Sequence, residues 1–215
     1  MACDEQPIHF ANSTLGSERH ICAFFHSPEE EYRVLLPFIR EGFEHGEKAF
    51  HIVDPALMDD HVHRMRDAGI DTEGASQTGQ LVVKRWQEAY LRDGHFDQDS
   101  MLALVEEFFS SGSADYPLTR VIAHMEWALE DFPGVNDLVE YEARANLVVA
   151  KYKHPCICTY DCTKFGAGVA MDILRTHPMV ILGGVLQKNP FFVPPAEFLA
   201  ELRERGAYGS SSTAA

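Results

Sequence analysis

The stretch His20-Ile-Cys-Ala-Phe-Phe-His-Ser-Pro-Glu-Glu-Glu-Tyr32 decides the fold of this chain. Five apolar or small residues lie between its two histidines and predict a strand. Ser27 is a preferred helix N-cap, Pro28 suits the first helical position, and Glu30 lies three residues after the cap. A strand that turns directly into a helix is typical of an α/β protein, in which ligands usually bind at the carboxyl end of the first strand.

The turn between this strand and its helix lacks the chemistry of a phosphate site. A nucleotide-binding turn carries glycines and a lysine, which bring backbone N–H groups and a positive charge onto the phosphates. Here the turn has neither residue type, and Glu29, Glu30 and Glu31 follow it. We therefore expect the architecture of a phosphate site with a different ligand, and no ATPase activity.

Composition limits the class of protein. The chain has 215 residues, of which 46% are hydrophobic, enough for a sizeable core. Its 18 basic and 33 acidic residues give a net charge of −15, which argues against direct binding of nucleic acid or of an anionic membrane. No apolar run is long enough to span a bilayer, and the amino terminus does not resemble a signal peptide. We therefore expect a cytoplasmic protein whose five cysteines are reduced.

Strand and helix patterns alternate along the chain without a linker. They predict strands at 20–26, 49–53, 80–86, 118–125, 156–161 and 179–186, and helices at 28–44, 55–68, 98–111, 135–153, 167–175 and 196–205. Such alternation predicts a three-layer α/β fold, with a mostly parallel central sheet and helices on both of its faces. We assign residues 20–207 to a single domain, residues 1–19 to a flexible amino-terminal segment, and residues 208–215 to a disordered tail.

The helix predicted over 135–153 carries two polar residues on its apolar face. Glu142 and Asn146 are four residues apart and are therefore neighbours on that face. A carboxylate on a buried face is costly unless it is paired. One interpretation is a structural ion pair, for which Arg120 and Arg144 are candidate partners. The other interpretation is a pocket wall that holds a polar or cationic ligand.

Further candidates for ligand or metal binding lie at the ends of predicted strands. His124 and Glu126 occupy the region where a nucleoside triphosphatase carries its magnesium-binding aspartate, and they could orient a ligand or bind a metal. Cys156 and Cys158 share a strand face and Cys162 follows them, so a soft metal could bridge thiols there. Free cysteine is also a common core residue, and buried, inert thiols are the alternative interpretation. The sequence leaves open whether these thiols are redox- or metal-active.

Seven segments, in order over residues 20–195, resemble one protein family. They are HICAFFHSPEEEY from His20, AYLRDGHFD from Ala89, RVIAHMEWAL from Arg120, YEARAN from Tyr141, CICTYD from Cys156, RTHPMVILGG from Arg175 and NPFFVPP from Asn189. The family is MEDS, the methanogen and methylotroph sensory domain, which is found in a repressor and in many bacterial sensor histidine kinases. The resemblance implies a RecA/KaiC-like fold that has lost its phosphate loop. This agrees with the turn after the first strand, which lacks the glycines and the lysine of such a loop.

The resemblance also implies a sensory role, in which the domain binds a small molecule, proposed to be a hydrocarbon derivative, and passes the signal on. The family's recurrent polar and aromatic positions correspond here to His20, Trp127, Glu142, Asn146, Tyr160, His177 and Asn189. We add His26 and Glu126 to this ligand site, and we expect the turn to form one pocket wall with His20 and His26 at its two ends. We assign no catalytic residue, no metal ligand and no cofactor.

Three functions follow from these patterns. The first is a stand-alone, non-catalytic sensory domain that signals through a regulatory partner, a kinase or a transcription regulator, or through self-association. The second is a metal- or haem-binding protein, or an enzyme, that uses histidine, cysteine and glutamate side chains at the strand ends. The third is a ligand-free module that binds a partner in a regulatory network. A homodimer is compatible with folds of this type.

Overall fold

The computed structural model describes residues 7–112 and 115–211, with side chains for 7–110 and 115–205. Its strands are β1 (Ile8–Phe10), β2 (Ser13–Leu15), β3 (His20–Phe25), β4 (Lys48–Val53), β5 (Leu81–Arg85), β6 (Thr119–His124), β7 (Cys156–Asp161), β8 (Met179–Leu182) and β9 (Val185–Lys188). Its helices are α1 (Pro28–Glu44), α2 (Met58–Asp67), α3 (Thr72–Thr78), α4 (Gln98–Gly112), α5 (Leu138–Tyr152), α6 (Ala167–Thr176) and α7 (Pro195–Ser211).

Seven strands form one sheet in the order β5-β4-β6-β7-β3-β8-β9. Its neighbours are parallel except for β8 and β9, which form an antiparallel hairpin. One hydrophobic cluster packs α1, α2 and α3 on one face of the sheet, and a second packs α4, α5 and α6 on the other. The predicted three-layer, mostly parallel α/β fold is therefore confirmed. Among the described residues, no helix combines the length and the apolar character that crossing a bilayer requires.

The opening strand, turn and helix have the predicted form. β3 lies between β7 and β8, and every one of its residues is buried. Ser27 Oγ accepts a hydrogen bond from the Glu30 amide at 3.2 Å, and the Glu30 carboxylate accepts one from the His26 amide at 2.9 Å. The turn thus uses its own side chains to satisfy amide groups that a nucleotide-binding turn would offer to a phosphate.

The segment predicted to be flexible, residues 1–19, contains a hairpin whose residues Ile8, Phe10 and Leu15 are buried. β1 and β2 pair across a tight turn in which Ala11 and Asn12 have φ values of 45° and 61°. Phe10 packs on Phe38 of α1, with ring centroids 4.3 Å apart. Strands of three residues give too short an alternation to be recognised from sequence, and the contact with α1 is what holds them. The prediction for this segment therefore missed the two short strands.

Other differences lie towards the carboxyl end. The single strand predicted over 179–186 is the hairpin of β8 and β9, because the pair Gly183-Gly184 turns the chain with φ values of 58° and 76°. α7 continues to Ser211 and so overlaps the tail predicted to be disordered, 208–215. Residues 212–215 of that tail lie outside the described part. The short helix α3 has no counterpart among the predicted elements.

Candidate functional site

Four side chains with metal- or ligand-binding chemistry converge beneath α5, on the sheet face that α4, α5 and α6 cover. They are His20, Glu142, Cys158 and His177, and all four are buried. Their nitrogen, oxygen and sulfur atoms lie within 4.8 Å of one another. We call these four residues the donor cluster.

The order of the central strands brings the donor cluster together. His20 begins β3, and strand alternation points it towards α5 on the same side as Cys22. β7 flanks β3 on one side and places Cys158 opposite Cys22 in the pairing register. β8 flanks β3 on the other side, so the chain that enters β8 brings His177 next to His20. Glu142 faces these strands from the buried side of α5.

One carboxylate oxygen of Glu142 lies at the centre of the donor cluster. Glu142 Oε2 is 3.2 Å from His20 Nε2 and 3.3 Å from His177 Nε2. The Cys158 sulfur is 3.7 Å from both Glu142 Oε2 and His20 Nε2. The two imidazole rings are tilted against each other, with centroids 4.1 Å apart. Two imidazoles, a thiol and a carboxylate therefore share one buried volume.

Asn146 fixes the His20 ring from the next turn of α5. Its Nδ2 atom donates to the carbonyl oxygen of Thr176 at 2.7 Å and to two carbonyl oxygens of α5, which leaves Oδ1 as an acceptor. His20 Nδ1 lies 3.1 Å from this Oδ1 atom and therefore donates to it. The His20 ring is thus oriented so that Nε2 faces the donor cluster.

Groups outside the cluster also orient His177 and Glu142. His177 Nδ1 lies 2.9 Å from the carbonyl oxygen of Ile173, which can only accept, so Nδ1 carries a proton. The Nε2 atom of His177 makes no hydrogen bond of good geometry among the described residues, although it lies 3.3 Å from Glu142 Oε2. Tyr160 donates its hydroxyl proton to the second oxygen of Glu142, Oε1, at 2.9 Å. His177 and Glu142 are therefore each oriented so that one atom, Nε2 or Oε2, faces the donor cluster.

Burial and mutual charge set the protonation of the donor cluster. Burial alone would raise the pKa of Glu142, but the adjacent imidazoles of His177 and His20 hold that pKa below its usual value. Burial alone would lower the pKa of His20, but the hydrogen bond to Glu142 raises it above its usual value. Burial and the neighbouring His20 lower the pKa of His177. Burial and mutual charge therefore oppose each other at His20 and at Glu142.

Neither arginine that the sequence offers as an ion-pair partner reaches Glu142. Arg120 lies under α1 on the opposite face of the sheet, where it pairs with Glu47. Arg144 pairs with Asp99 on α4. The expectation of an arginine partner is wrong, because the partners come from β3 and from the chain before β8, which no local pattern connects to α5.

An apolar cavity of about 30 Å³ lies beside the donor cluster, between the sheet and the helices α4 and α5. A space of this size accepts a water molecule or another very small occupant. His20, Glu142, Cys156 and Cys158 border it on one side, and the surface that faces the space is almost entirely apolar. The side chains that α4 contributes to the lining are Met101, Leu104, Val105, Phe108 and Phe109.

A second cavity, of about 280 Å³, lies at the carboxyl ends of the strands, where the sequence predicts the ligand site. Glu126 lines it, accepts a hydrogen bond from the Asp161 amide at 3.0 Å, and has a pKa that burial raises. His124 also lines it and pairs with Glu31 at 3.1 Å between Nε2 and Oε1. The side chain of His26 is exposed and lines neither of these two cavities.

The two cavities are separated along the strands of the sheet. His20 begins β3 and His26 follows its last residue, so the two histidines lie roughly 20 Å apart at a rise of about 3.3 Å per residue. The expectation that the turn and both histidines form one pocket wall is therefore wrong. His20 belongs to the donor cluster, whereas the turn borders the cavity at the carboxyl ends of the strands.

Trp127 and Asn189 are not members of the donor cluster. Trp127 is buried in an aromatic stack with Tyr90 and Phe96, at centroid distances of 4.6 Å and 4.4 Å, and Tyr90 is the member that lines the apolar cavity. Asn189 donates to the carbonyl oxygen of His177 at 2.7 Å. The amide of Asn189 therefore fixes the segment that presents His177.

For Cys158, a member of the donor cluster, the sequence left open whether the thiol is a core residue or a metal ligand. The alternation of Cys156 and Cys158 along one strand places both on the same face. A site could have been inferred only if the pairing of β7 with β3 were known, because that pairing puts this face next to His20. Local sequence carries no signal for such pairing.

The fold is that of a KaiC-like α/β domain, and its first turn lacks the residues of a phosphate loop. The crystal structure of a KaiC-like protein from the hyperthermophilic archaeon Pyrococcus horikoshii is similar in fold, with a TM-score of 0.53 at 16% identity over 75% of this chain and 69% of that one. The chain belongs to the MEDS family, described as the methanogen/methylotroph, DcmR sensory domain, whose model matches residues 19–178. The resemblance carried by the seven sequence segments is therefore confirmed.

A regulatory protein is among the relatives of this chain. It is similar to the transcriptional repressor DcmR of Methylorubrum extorquens, at 27% identity over 173 residues. The match covers 78% of this chain and 61% of the repressor, so the chain spans less than two thirds of that protein's length. The family and this relative together indicate a sensory or regulatory role.

Proposed function

We propose that this chain is a non-catalytic sensory domain, which binds a small molecule in the cavity beside the donor cluster and signals to a regulatory partner. The observation that carries the proposal is the composition of that cavity, an apolar volume bordered on one side by the donor-cluster residues His20, Glu142 and Cys158. A small hydrocarbon derivative with one polar or cationic group complements such a cavity, because its apolar body and its polar end each meet a matching surface.

Helix α4 is the cavity wall that we expect to respond to the ligand. Because the cavity holds about 30 Å³, a ligand larger than a few atoms requires a wall to move. α4 is joined to α5 at the surface by the pairs Arg144–Asp99 and Lys151–Glu106. Exposed ion pairs of this kind contribute little to stability, so they permit displacement of α4. A displaced α4 would present a different surface to the partner.

The charge of the cavity at the carboxyl ends of the strands argues against ATP hydrolysis. Its lining includes the carboxylates of Glu31, Asp54, Glu126 and Asp161, with Lys164 as the lysine nearby. A polyphosphate in this cavity would meet mainly negative charge, which repels it. The turn at this cavity also lacks the glycines and the lysine of a phosphate loop.

We propose that the domain acts in the cytoplasm and passes its signal to a kinase or a transcription regulator, or through self-association. The similarity to a transcriptional repressor supports a link to transcription. A net charge of −15 disfavours direct contact with nucleic acid by the domain itself.

Thermal-shift screening with small chlorinated hydrocarbons, alcohols and amines tests the ligand proposal. We expect one of these classes to raise the Tm of the wild type but not that of Leu104→Trp, in which a larger side chain fills the cavity. Leu147→Trp, at an exposed position of α5, is the matched control and should respond like the wild type. No response from the wild type, or an equal response from Leu104→Trp, would contradict the proposal.

A further inference from the structure

We infer that the donor cluster is a four-coordinate site for a divalent transition metal ion such as Zn²⁺, with the four side chains of the cluster as its ligands. The inference rests on the geometry of the donor cluster and not on the small molecule proposed above, which would then meet the bound ion rather than the free side chains. Three observations carry it: the spacing of the donor atoms, the hydrogen bonds that orient them, and a buried nitrogen atom that faces the carboxylate without a well-formed hydrogen bond.

The donor atoms are spaced like the corners of a coordination tetrahedron. Around Zn²⁺, bond lengths of about 2.0–2.3 Å put neighbouring ligand atoms roughly 3.3–3.8 Å apart. Glu142 Oε2 lies 3.2 Å and 3.3 Å from the two imidazole nitrogens. The Cys158 sulfur lies 3.7 Å from that oxygen and from His20 Nε2. The remaining pairs lie within 4.8 Å, so small side-chain rotations are enough to close the tetrahedron.

The hydrogen bonds around the cluster are those that metal ligands need. A histidine ligand usually donates its second ring N–H to a carbonyl or carboxylate, which fixes the ring and leaves the other nitrogen for the metal. His20 donates Nδ1–H to Asn146, and His177 donates Nδ1–H to the carbonyl of Ile173. Tyr160 holds the outer oxygen of Glu142 and leaves the inner oxygen for the metal.

The Nε2 atom of His177 is the third observation. His177 is fully buried, and its Nε2 atom makes no hydrogen bond of good geometry among the described residues, although it lies 3.3 Å from Glu142 Oε2. Nδ1 donates to the carbonyl oxygen of Ile173, so Nε2 is the ring atom turned towards the carboxylate. A cation between this nitrogen and this oxygen would bind both.

The donor set selects the kind of ion. Mg²⁺ and Ca²⁺ prefer oxygen ligands, whereas two imidazoles, a thiolate and one carboxylate suit Zn²⁺ and similar transition metal ions. A divalent cation with one thiolate, one carboxylate and two neutral imidazoles gives a site without net charge, which lowers the cost of burial. Binding would release the proton of the Cys158 thiol, because the thiolate is the form that binds a metal ion. The adjacent cavity, of about 30 Å³, has no room for a haem.

Metal titration of the full chain, purified without a histidine tag and stripped with a chelator, tests the inference. We expect one equivalent of Zn²⁺ to bind and to raise the Tm. We also expect one equivalent of Co²⁺ to give the visible spectrum of a tetrahedral site, together with a thiolate-to-metal charge-transfer band in the near ultraviolet. These readouts require no activity assay and no knowledge of the sensory ligand.

Matched variants assign the ligands. Cys158→Ser should lose the charge-transfer band, whereas Cys156→Ser, which changes the neighbouring thiol on the same strand face, should keep it. Asn146→Ala should weaken Co²⁺ binding roughly 10- to 100-fold, because it releases the His20 ring. If Cys158→Ser does not fold, the charge-transfer band of the wild type still reports a thiolate ligand. Failure of the stripped wild type to bind either ion, or loss of the band in Cys156→Ser alone, would overturn the inference.

Discussion

The role of Glu142 depends on the residues that surround it in the fold. On the helical pattern it is a carboxylate on an apolar face, which requires a compensating group. In the fold that compensation comes from His20, His177 and the Tyr160 hydroxyl. The carboxylate is therefore not a misplaced surface residue but the group around which the donor cluster is arranged.

A second group of buried histidines lies on the other face of the sheet. His51 Nδ1 and His61 Nε2 are 2.8 Å apart, and His61 Nδ1 lies 2.7 Å from the Tyr32 hydroxyl oxygen. Burial, with the nearby His124, lowers the pKa of His51 to about 3. Burial, with His51 and His124, also lowers the pKa of His61. Both rings are therefore neutral in the folded protein at neutral pH.

We expect these neutral histidines to make the fold sensitive to acid. Because unfolded histidine takes up a proton near pH 6.5 and folded His51 does so near 3, the stability is complete above pH 6.5 and falls as the pH drops towards 3. For His51 the loss between pH 7 and pH 5 is about 2 kcal/mol. Urea unfolding measures the free energy of unfolding at the two pH values. The difference between these two free energies should be smaller in His51→Gln than in the wild type by about 2 kcal/mol.

His63→Gln is the control for this measurement, since His63 lies on the exposed side of α2. It should keep the pH dependence of the wild type. An unchanged difference between pH 7 and pH 5 in His51→Gln would show that His51 does not stay neutral in the fold.

At the scale of elements, the contact between α1 and β6 depends on a glycine. A Cβ atom at Gly42 would lie 2.8 Å from Cδ of Arg120. That side chain is not free to move aside, because it is buried, pairs with Glu47 and Glu41, and stacks on Phe38 at 4.4 Å. The glycine therefore lets the helix approach the strand closely enough to cover the arginine.

We expect Gly42→Ala to lower the free energy of unfolding by roughly 1–3 kcal/mol, because the added methyl group overpacks this contact. The loss should appear although alanine is the better helix former by about 1 kcal/mol. Gly168→Ala in α6, where a Cβ atom meets nothing within 4 Å, is the matched control and should be neutral or stabilising. Urea unfolding of both variants measures the difference. A more stable Gly42→Ala would mean that Arg120 is not held in place.

At the scale of the whole molecule, the cavity at the carboxyl ends of the strands and the donor cluster are different places. The lining of that cavity includes the carboxylates of Glu31, Asp54, Glu126 and Asp161. The donor cluster lies under α5, beside the start of β3. The two places therefore offer different chemistry on one fold.

We therefore expect no binding of Mg²⁺–ATP to the whole domain. Equilibrium dialysis at nucleotide concentrations up to the millimolar range should show no saturable binding, because the carboxyl-end cavity repels phosphate and the turn offers no lysine. A nucleotide-binding KaiC-like protein under the same conditions is the positive control. Saturable binding with release of phosphate would contradict both this expectation and the non-catalytic function proposed here.

The sequence by itself determined the elements whose signals are local. The cap at Ser27, the proline at Pro28 and the helical spacing of apolar residues predict α1 with the observed bounds, because these interactions join residues within one turn. The alternation of strands and helices likewise determined the three-layer architecture. The sequence also predicted that Glu142 needs a partner, but not which partner.

Only the tertiary structure decided what surrounds Glu142. His20, Cys158 and His177 meet because β3 lies between β7 and β8, and strand order depends on contacts between residues far apart in the chain. The same holds for the hairpin of β1 and β2, which is ordered by burial of Phe10 against α1 rather than by its own short strands. Local patterns specify elements, whereas a site built from four elements exists only once those elements are packed together.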